Sequence, residues 1–502
     1  MTRVERRTAA TRGFGWGALA GLVLVGGMYL ASAVLGLRPL PQALNEPLLS
    51  IMPGVVFGFL IDTLQHAGKV LEELGLIIAM VVALGVLGAT WAVTALRWRF
   101  AHSALVFAGV GWLVVVLVLL PISGAGFLGL NGGPTTPLVW AALFAIYGVV
   151  LQMGGVTAGT EGPTNLDRRR LLSALPLGIG AASLGLLAVL RLPEWYRAVA
   201  NPAEASLRGV SPEITPVGNF YIVSKNYSDP VVDGQAWRLT VGGLVDKTLN
   251  LSLPDLKALP SITEYVTLEC VSNDVGGTLM STGSFTGVKM SDLIALASPK
   301  SSGTWAAFKA TDGFSESLPM SLINSQGSIL VAYELDGAPL PTGHGFPARV
   351  LLPGHYGMKG PKWLVSIDLV DRETGGFWEQ QGWDHNAIVK TTARFDAPRD
   401  SDIVKLGPVT VAGVAFAGTR GVSDVEFSTD GGGSWSVASL SPPLSSLTWV
   451  LWKATWTPTR EGSFTLQVRA TDGTGARQTP QTRPSYPDGA AGYHTIRVDV
   501  AK

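Results

Sequence analysis

The chain has 502 residues, with Lys+Arg and Asp+Glu balanced at 37 each. That length suits about three domains, and the balance excludes a global field of the kind that draws a protein to nucleic acid or to an acidic partner. A single cysteine, Cys270, excludes an internal disulfide, a four-thiolate zinc site and a cysteine-held iron–sulfur cluster.

The average composition hides two halves. Residues 1–200 are mostly long apolar runs, and 201–502 read as a soluble protein with short strands and turn signals. Runs long enough to span a bilayer occur near 14–36, 74–95, 103–121, 136–154 and 171–192. A further stretch, 48–66, contains Pro53, Gly54 and Asp62, ends at His66, and reads as re-entrant or interfacial. Arginines sort the loops. Arg3, Arg6, Arg7 and Arg12 precede the first run, Arg97 and Arg99 follow the second, and Arg168, Arg169 and Arg170 precede the last. The positive-inside rule then places the N-terminus, 97–101 and 155–170 in the cytoplasm. Five spans satisfy all three and leave residues 195–502 outside. The expectation is a multi-pass protein of the cell membrane, with the lipid bilayer as a partner and an extracytoplasmic soluble half. Arg168-Arg169-Arg170 before a glycine- and alanine-rich helix also resembles a twin-arginine export signal, with a plain positive-inside anchor as the alternative. For His66 and His102, two unpaired histidines near the membrane, packing outweighs haem binding.

In the soluble half Cys270 has three readings: a buried structural thiol, a nucleophile, or a thiolate ligand to a soft metal. Further on, Val425-Glu426-Phe427-Ser428 runs into the turn Thr429-Asp430-Gly431-Gly432-Gly433 and an anchoring Trp435. Residues 447–456 and 464–470 alternate at strand period around Glu461-Gly462. This pattern predicts an antiparallel β-sandwich over 400–502, immunoglobulin-like without the disulfide. Ser428–Trp435 also resembles the Asp-box hairpin of sialidases, but one copy reads as a structural turn.

Several separated motifs then come in a recognisable order. Asn219–Tyr227 is followed by Trp237–Val245 and Leu251–Leu256, then Leu268-Glu269-Cys270-Val271-Ser272-Asn273. His344-Gly345-Phe346-Pro347-Ala348-Arg349 and Lys359-Gly360-Pro361-Lys362-Trp363-Leu364 complete the set. From Asn219 onward the chain resembles the sulfite oxidase family of molybdenum enzymes. The resemblance implies Mo-molybdopterin, one pterin per chain, with Cys270 as both the catalytic residue and the thiolate on the metal. It implies Arg349 and Lys362 as phosphate-binding cations, His344 as a pterin contact and Asp312 as a carboxylate against the pterin amino group. Asn219, Lys225, Tyr227, Asn273 and Lys359 complete the implied cofactor-binding set. It also implies that the sandwich is a dimerisation module, hence a homodimer.

The pattern departs from the family around the substrate. The family's arginine five residues after the ligand cysteine is Val275 here, its first-strand arginine is Lys225, and its pocket tyrosine is Trp383. A dianion pocket without these groups loses most of its discrimination, so sulfite is not the expected substrate. Trp378 and Trp383 suggest a more aromatic pocket, with Val275, His355 and Trp383 as its candidate lining. No haem, flavin or nicotinamide motif accompanies the set, so electrons would pass to an external carrier or a quinone. The expected architecture is an all-α transmembrane bundle over 1–195, a mixed α+β catalytic domain of sulfite-oxidase type over 210–397, and the sandwich over 400–502. The expected activity is oxygen-atom transfer on a small molecule at a mononuclear molybdenum centre. The alternatives are an S- or N-oxide reductase of the same family, and a non-catalytic membrane-tethered binding module with a degenerate site.

Overall fold

A long apolar run can satisfy every backbone amide within its own segment by folding as a helix, and the long apolar runs here do so. The computed structural model describes residues 2–53, 56, 60, 64, 67–96, 103–156, 166–199, 209–226 and 229–502. They divide into a helical unit drawn from residues 1–200 and a β-rich unit that takes in Asn201–Lys502.

The helical unit contains α1 (Arg3–Leu35), α2 (Leu40–Ile51), α3 (Ala67–Ala95) and α4 (Ala104–Val114), the last continued by a π-helical turn to Ile122. α5 (Thr136–Val156) and α6 (Leu166–Val199) follow. Among the described residues four helical stretches are long and apolar enough to cross a membrane: Arg3–Leu35, Ala67–Ala95, Ala104–Ile122 and Thr136–Gly154. The fifth expected span falls in α6, whose apolar stretch Leu177–Pro193 is shorter. α2 covers the start of the 48–66 stretch, while Asp62, His66 and His102 lie outside the described residues.

α1 begins with a Thr2–Glu5 capping box and packs closely on α3. A Cβ at Gly13 would sit 2.5 Å from the Gly88 carbonyl oxygen, and one at Gly17 would sit 2.6 Å from that of Leu84, so the two backbones meet through glycine. At one end of the bundle the fully buried Glu73 of α3 gathers four donors. Tyr29 of α1 donates at 2.8 Å and Gln42 of α2 at 3.0 Å to Oε1. Arg191 and Trp195 of α6 donate at 2.7 and 2.6 Å to Oε2.

The β-rich unit opens with β1 (Leu239–Gly243), β2 (Leu249–Leu251), β3 (Ile262–Glu269), β4 (Met280–Lys289) and β5 (Trp305–Ala310). β6 (Ser315–Pro319), β7 (Leu330–Leu335), β8 (Ala338–Pro339), β9 (Arg349–Leu351) and β10 (Leu364–Val370) follow. One sheet runs β2-β1-β10-β5-β6, with β1 and β10 parallel. The other runs β3-β4-β7-β8, with β9 also on β7. A shared core that includes Leu239, Phe308, Val331, Val350 and Ile367 fills the space between them. Three short helices, Leu253–Lys257, Met290–Ala295 and Met320–Ser325, make this part mixed α+β. The segment from Asn219 to Asn226, expected as a strand, is instead a short 3₁₀ turn at Val217–Asn219 followed by chain outside any sheet.

The C-terminal part stacks two sheets on one core. β11 (Thr392–Ala397), β12 (Ile403–Lys405), β13 (Val409–Phe416), β14 (Val422–Ser428) and β15 (Ser436–Val437) are followed by β16 (Ser439–Leu440), β17 (Val450–Trp456), β18 (Gly462–Asp472) and β19 (His494–Ala501). The sheets run β11-β13-β17-β16 and β12-β19-β18-β14-β15. Phe395, Val411 and Trp452 from one sheet and Val425, Val468 and Val498 from the other fill the space between. β11 lies before the boundary at 400 expected from sequence. The Asp430 turn is structural: its carboxylate takes the Ser434 N–H at 2.8 Å and the Ser434 and Ser428 hydroxyls at 2.7 Å.

Candidate active site

β3 positions Cys270. Its first half alternates in burial and its last four residues are all buried, so the strand dives inward as it reaches the cysteine. The chain then turns: Cys270 N–H bonds the Leu279 carbonyl at 3.0 Å, and Asn273 N–H bonds the Cys270 carbonyl at 3.0 Å. The Asn273 side chain closes this loop, donating to Glu269 at 2.9 Å and accepting from Leu279 N–H at 2.9 Å. Asn273 thus shapes the Cys270 loop, and both ends of its amide are engaged there. The C-terminal part braces the same loop, because Arg394 of β11 donates to the Gly277 carbonyl at 2.6 Å while pairing with Asp396 at 3.0 Å.

The thiol is buried, and its Sγ lies 3.1 Å from the Ser272 hydroxyl. Burial pushes its pKa up, against the pull of Ser272 and of the Lys362 charge. Beside it the Glu269 carboxyl is pushed up to about 7 by burial, opposed by Asn273 and Arg394.

Cations gather around this loop. Arg349 begins β9 and is 6 % exposed. Its donors meet only carbonyls, those of Val350 and His344 at 3.4 Å and Gly360 at 3.5 Å, and among the described residues no carboxylate pairs with it. His344, against the edge of Phe220 at 5.2 Å, is pushed down to about 3 by burial and then by the Arg349 and Lys362 charges, so it is a neutral imidazole. Lys362 donates to the carbonyls of Gly343 at 2.9 Å and Val223 at 3.1 Å and lies 4.4 Å over Trp363. Gly345 makes the convergence possible. Its φ of +107° suits glycine, and a Cβ there would press on the Lys362 and Arg349 side chains at 3.0 and 3.2 Å.

Lys225 donates to the Asp312 carbonyl at 2.9 Å and sits 5.0 Å over Phe377. The Asp312 carboxylate accepts from Asn226 at 2.8 Å and from Phe314 N–H at 3.0 Å, so it orders its own turn. Asn219 is half-buried at the end of its 3₁₀ turn, and Tyr227 lies outside the described residues. Lys359 is apart from this group, in a buried ion pair with Glu316 at 2.7 Å and with Glu379. Val275 faces a small polar cavity with Glu269, Asn273, Tyr356 and Lys390. His355 is half-buried near the Pro353 carbonyl, and burial lowers its pKa. Trp383 is 2 % exposed and stands edge-on to Tyr486 of the C-terminal part at 5.2 Å.

Sequence reasoning passed over Tyr221, a half-buried tyrosine close enough for the Cys270, Arg349 and Glu269 charges to act on its phenol. It also passed over Glu269, whose one signal was its place next to Cys270 at the end of a strand that turns inward.

A buried thiol within reach of the Lys362 charge, with Tyr221 between it and a buried guanidinium that has no acid partner among the described residues, is a donor set that suits a thiolate-bound metal on an anionic, phosphate-bearing cofactor. The comparisons agree. Residues 226–378 match the family described as oxidoreductase molybdopterin binding domain, and residues 388–486 match the Mo-co oxidoreductase dimerisation domain. Sulfite oxidase of Arabidopsis thaliana is 30% identical over 317 residues, covering 51% of this chain and 80% of the relative. The mitochondrial sulfite oxidase of Homo sapiens is 30% identical over 287 residues, 48% of this chain. This chain spans about half of that relative's length, 52%. A crystal structure of the sulfane dehydrogenase SoxCD from Paracoccus pantotrophus shares the fold at a TM-score of 0.51 and 21% identity, over 59% of this chain and 85% of that one. The fold and site define a molybdopterin-binding oxidoreductase. The chain belongs to the sulfite oxidase family.

Proposed function

We propose that the β-rich unit carries Mo-molybdopterin and acts on a small substrate other than sulfite, with an S- or N-oxide as the reductive alternative. Cys270 would hold the metal, and Arg349, Lys362 and neutral His344 would hold the pterin and its phosphate. When bound, the cofactor supplies two-electron oxygen-atom transfer. The chain's own part is to keep the thiol dry, fix it with the Asn273-stapled loop, and supply buried positive charge. The observation that carries the substrate reading is the state of the two positions where the family has arginine. Val275 is apolar, and the Lys225 amine is directed at the Asp312 carbonyl and the Phe377 ring. Steady-state kinetics of molybdenum-loaded protein with sulfite and with a panel of S- and N-oxides tests it. A high sulfite turnover with a low KM would overturn it.

The non-catalytic binding module is disfavoured by an intact Cys270, Arg349 and Lys362. The C-terminal sandwich, read as immunoglobulin-like, would pair two copies. The apolar helices would anchor the chain in the cell membrane, with the N-terminus in the cytoplasm and the catalytic half outside. Electrons would pass to an external carrier or a quinone. Export of a folded, loaded domain by the twin-arginine route follows from the same reading. Replacing Arg168, Arg169 and Arg170 by lysine keeps the charge and should leave 201–502 protected from protease added outside intact cells. Continued export with cofactor bound would reduce the arginines to a topology signal.

A further inference from the structure

Behind the aromatic residues lies a buried ion cluster that neither the cofactor site nor the substrate reading uses. Lys359, 3 % exposed, donates to Glu316 Oε1 at 2.7 Å and to Glu379 Oε1. Glu316 is fully buried on β6 and also accepts the Ser317 N–H at 2.8 Å. Glu379 Oε2 accepts the Gly376 N–H at 2.5 Å, so it reaches back over the two residues between them, Phe377 and Trp378.

Phe377 lies 5.0 Å under the Lys225 amine, at the position where the family has an arginine, and Trp378 stands edge-on to Phe377 at 4.9 Å. The Trp383 N–H returns to the Trp378 carbonyl at 3.2 Å. On the other side the Phe377 N–H is held by the Ser315 carbonyl at 2.9 Å. A Cβ at Gly376 would lie 2.4 Å from Glu316 Oε2, so the chain passes directly over that carboxylate and has room only for glycine. The segment 374–383 is therefore held from both sides, by Glu316 under Gly376 and by Glu379 over it, with Lys359 joining the two carboxylates.

We infer that Glu316, Lys359 and Glu379 form a positioning triad that sets the aromatic wall of the substrate pocket, and that Lys359 holds this wall rather than the cofactor. The inference rests on the reading of Lys225, Phe377 and Trp378 as pocket residues. Its physical basis is the cost of an unpaired buried charge. Two carboxylates share one ammonium, and removing the ammonium leaves buried Glu316 without a cation and Glu379 with only the exposed His385 ring at 3.5 Å. Burial already pushes the Glu316 carboxyl up to about 7 against the pull of Lys359, while the two carboxylates raise the pKa of the lysine and keep it charged. The protein without Lys359 relieves the strain by releasing Glu379, and with it Phe377 and Trp378.

The test uses full-length protein purified with its cofactor, in wild-type form and as Lys359→Met and Glu379→Gln. Three quantities are read: molybdenum and pterin per chain, amide hydrogen exchange over 373–385, and the separate effects on KM and kcat. Lys359→Met should keep its molybdenum and pterin, exchange 373–385 at least about ten-fold faster, and raise KM more than it lowers kcat. Glu379→Gln, which keeps the shape and the bond to Gly376, should give the same pattern more weakly, and it stands in if the lysine variant does not fold. Loss of pterin with unchanged exchange would make Lys359 a cofactor cation and overturn the inference. Unchanged content with unchanged exchange would overturn it as well. If the wild type holds no molybdenum, the proposed function falls, while exchange over 373–385 still decides the triad.

Discussion

Glu73 in the helical unit and Arg349 in the β-rich unit are both buried charges, and their surroundings differ in kind. Glu73 receives four donors from three other helices, including the guanidinium of Arg191. Both of its oxygens are used and its charge is matched. Arg349 meets three carbonyls at 3.4 to 3.5 Å and no acid among the described residues. A burial cost met inside the protein marks a site whose work is to hold the fold. A cost left open among His344, Lys362 and Tyr221 marks a site whose partner comes from outside. The Glu316–Lys359–Glu379 cluster lies nearer to Glu73, because its lysine is paired inside the protein, although Glu316 Oε2 takes no hydrogen bond and the lysine lies in the same sequence motif as Lys362.

The largest effect should come from the open site. Cys270→Ser replaces a thiolate by a harder, far less acidic ligand and should lower turnover at least about a thousand-fold while pterin is retained. A serine variant at the wild-type rate would remove Cys270 from the metal. The closed site should respond differently. Glu73→Leu or Arg191→Met alone should destabilise the helical unit by about 3–5 kcal/mol, and the double variant by less than the sum, as read from unfolding in detergent. Additive losses would show that the two charges do not depend on each other.

Smaller effects probe the edge of the open site. Val275→Arg restores a cation at the family's position and should raise kcat/KM for sulfite by about ten-fold or more, the worth of one hydrogen bond to a charged group. No gain would place that side chain away from the substrate. Least of all, the C-terminal part should carry a pH signature at Asp472. Burial pushes this carboxyl up, but hydrogen bonds from Thr474 and Arg420 outweigh burial and lower it from 3.8 to about 2. Its folded pKa lies below its unfolded one, so the stability it contributes is complete above about pH 4 and is lost as pH falls through about 2. Asp472→Asn should flatten acid unfolding in that window, followed by circular dichroism.

Cys270, Arg349, His344 and Lys362 were picked out through the resemblance of their motifs to one family, and the structure brings His344, Arg349 and Lys362 together with the Lys362 charge within reach of Cys270. Asn273 and Lys359 show where reading stops. Each sits in a cofactor motif, but an amide or an ammonium serves a loop or a carboxylate equally well, and only the fold says which. Lys359 finds Glu316 and Glu379 through contacts 43 and 20 residues apart in sequence. Glu73 was silent for the same reason: its partner Arg191 is 118 residues away. Four of the five apolar runs fold as helices long and apolar enough to cross a membrane. The segment 219–226 was expected as a strand from its resemblance to the family's first pterin-contacting strand, and a sequence likeness does not say whether a neighbouring strand is there to pair with it.

The central claim is that Arg349 is a buried cation completed by an anionic cofactor. Molybdenum and pterin content of full-length protein, measured side by side for wild type and Arg349→Met with an unchanged circular dichroism spectrum, tests it most directly. The account predicts about one molybdenum and one pterin per wild-type chain and, in the variant, a fall to about a tenth or less, since a buried charge-assisted contact to phosphate is worth about 1.5–3 kcal/mol. A wild type without either, or a variant that retains both in full, would contradict it.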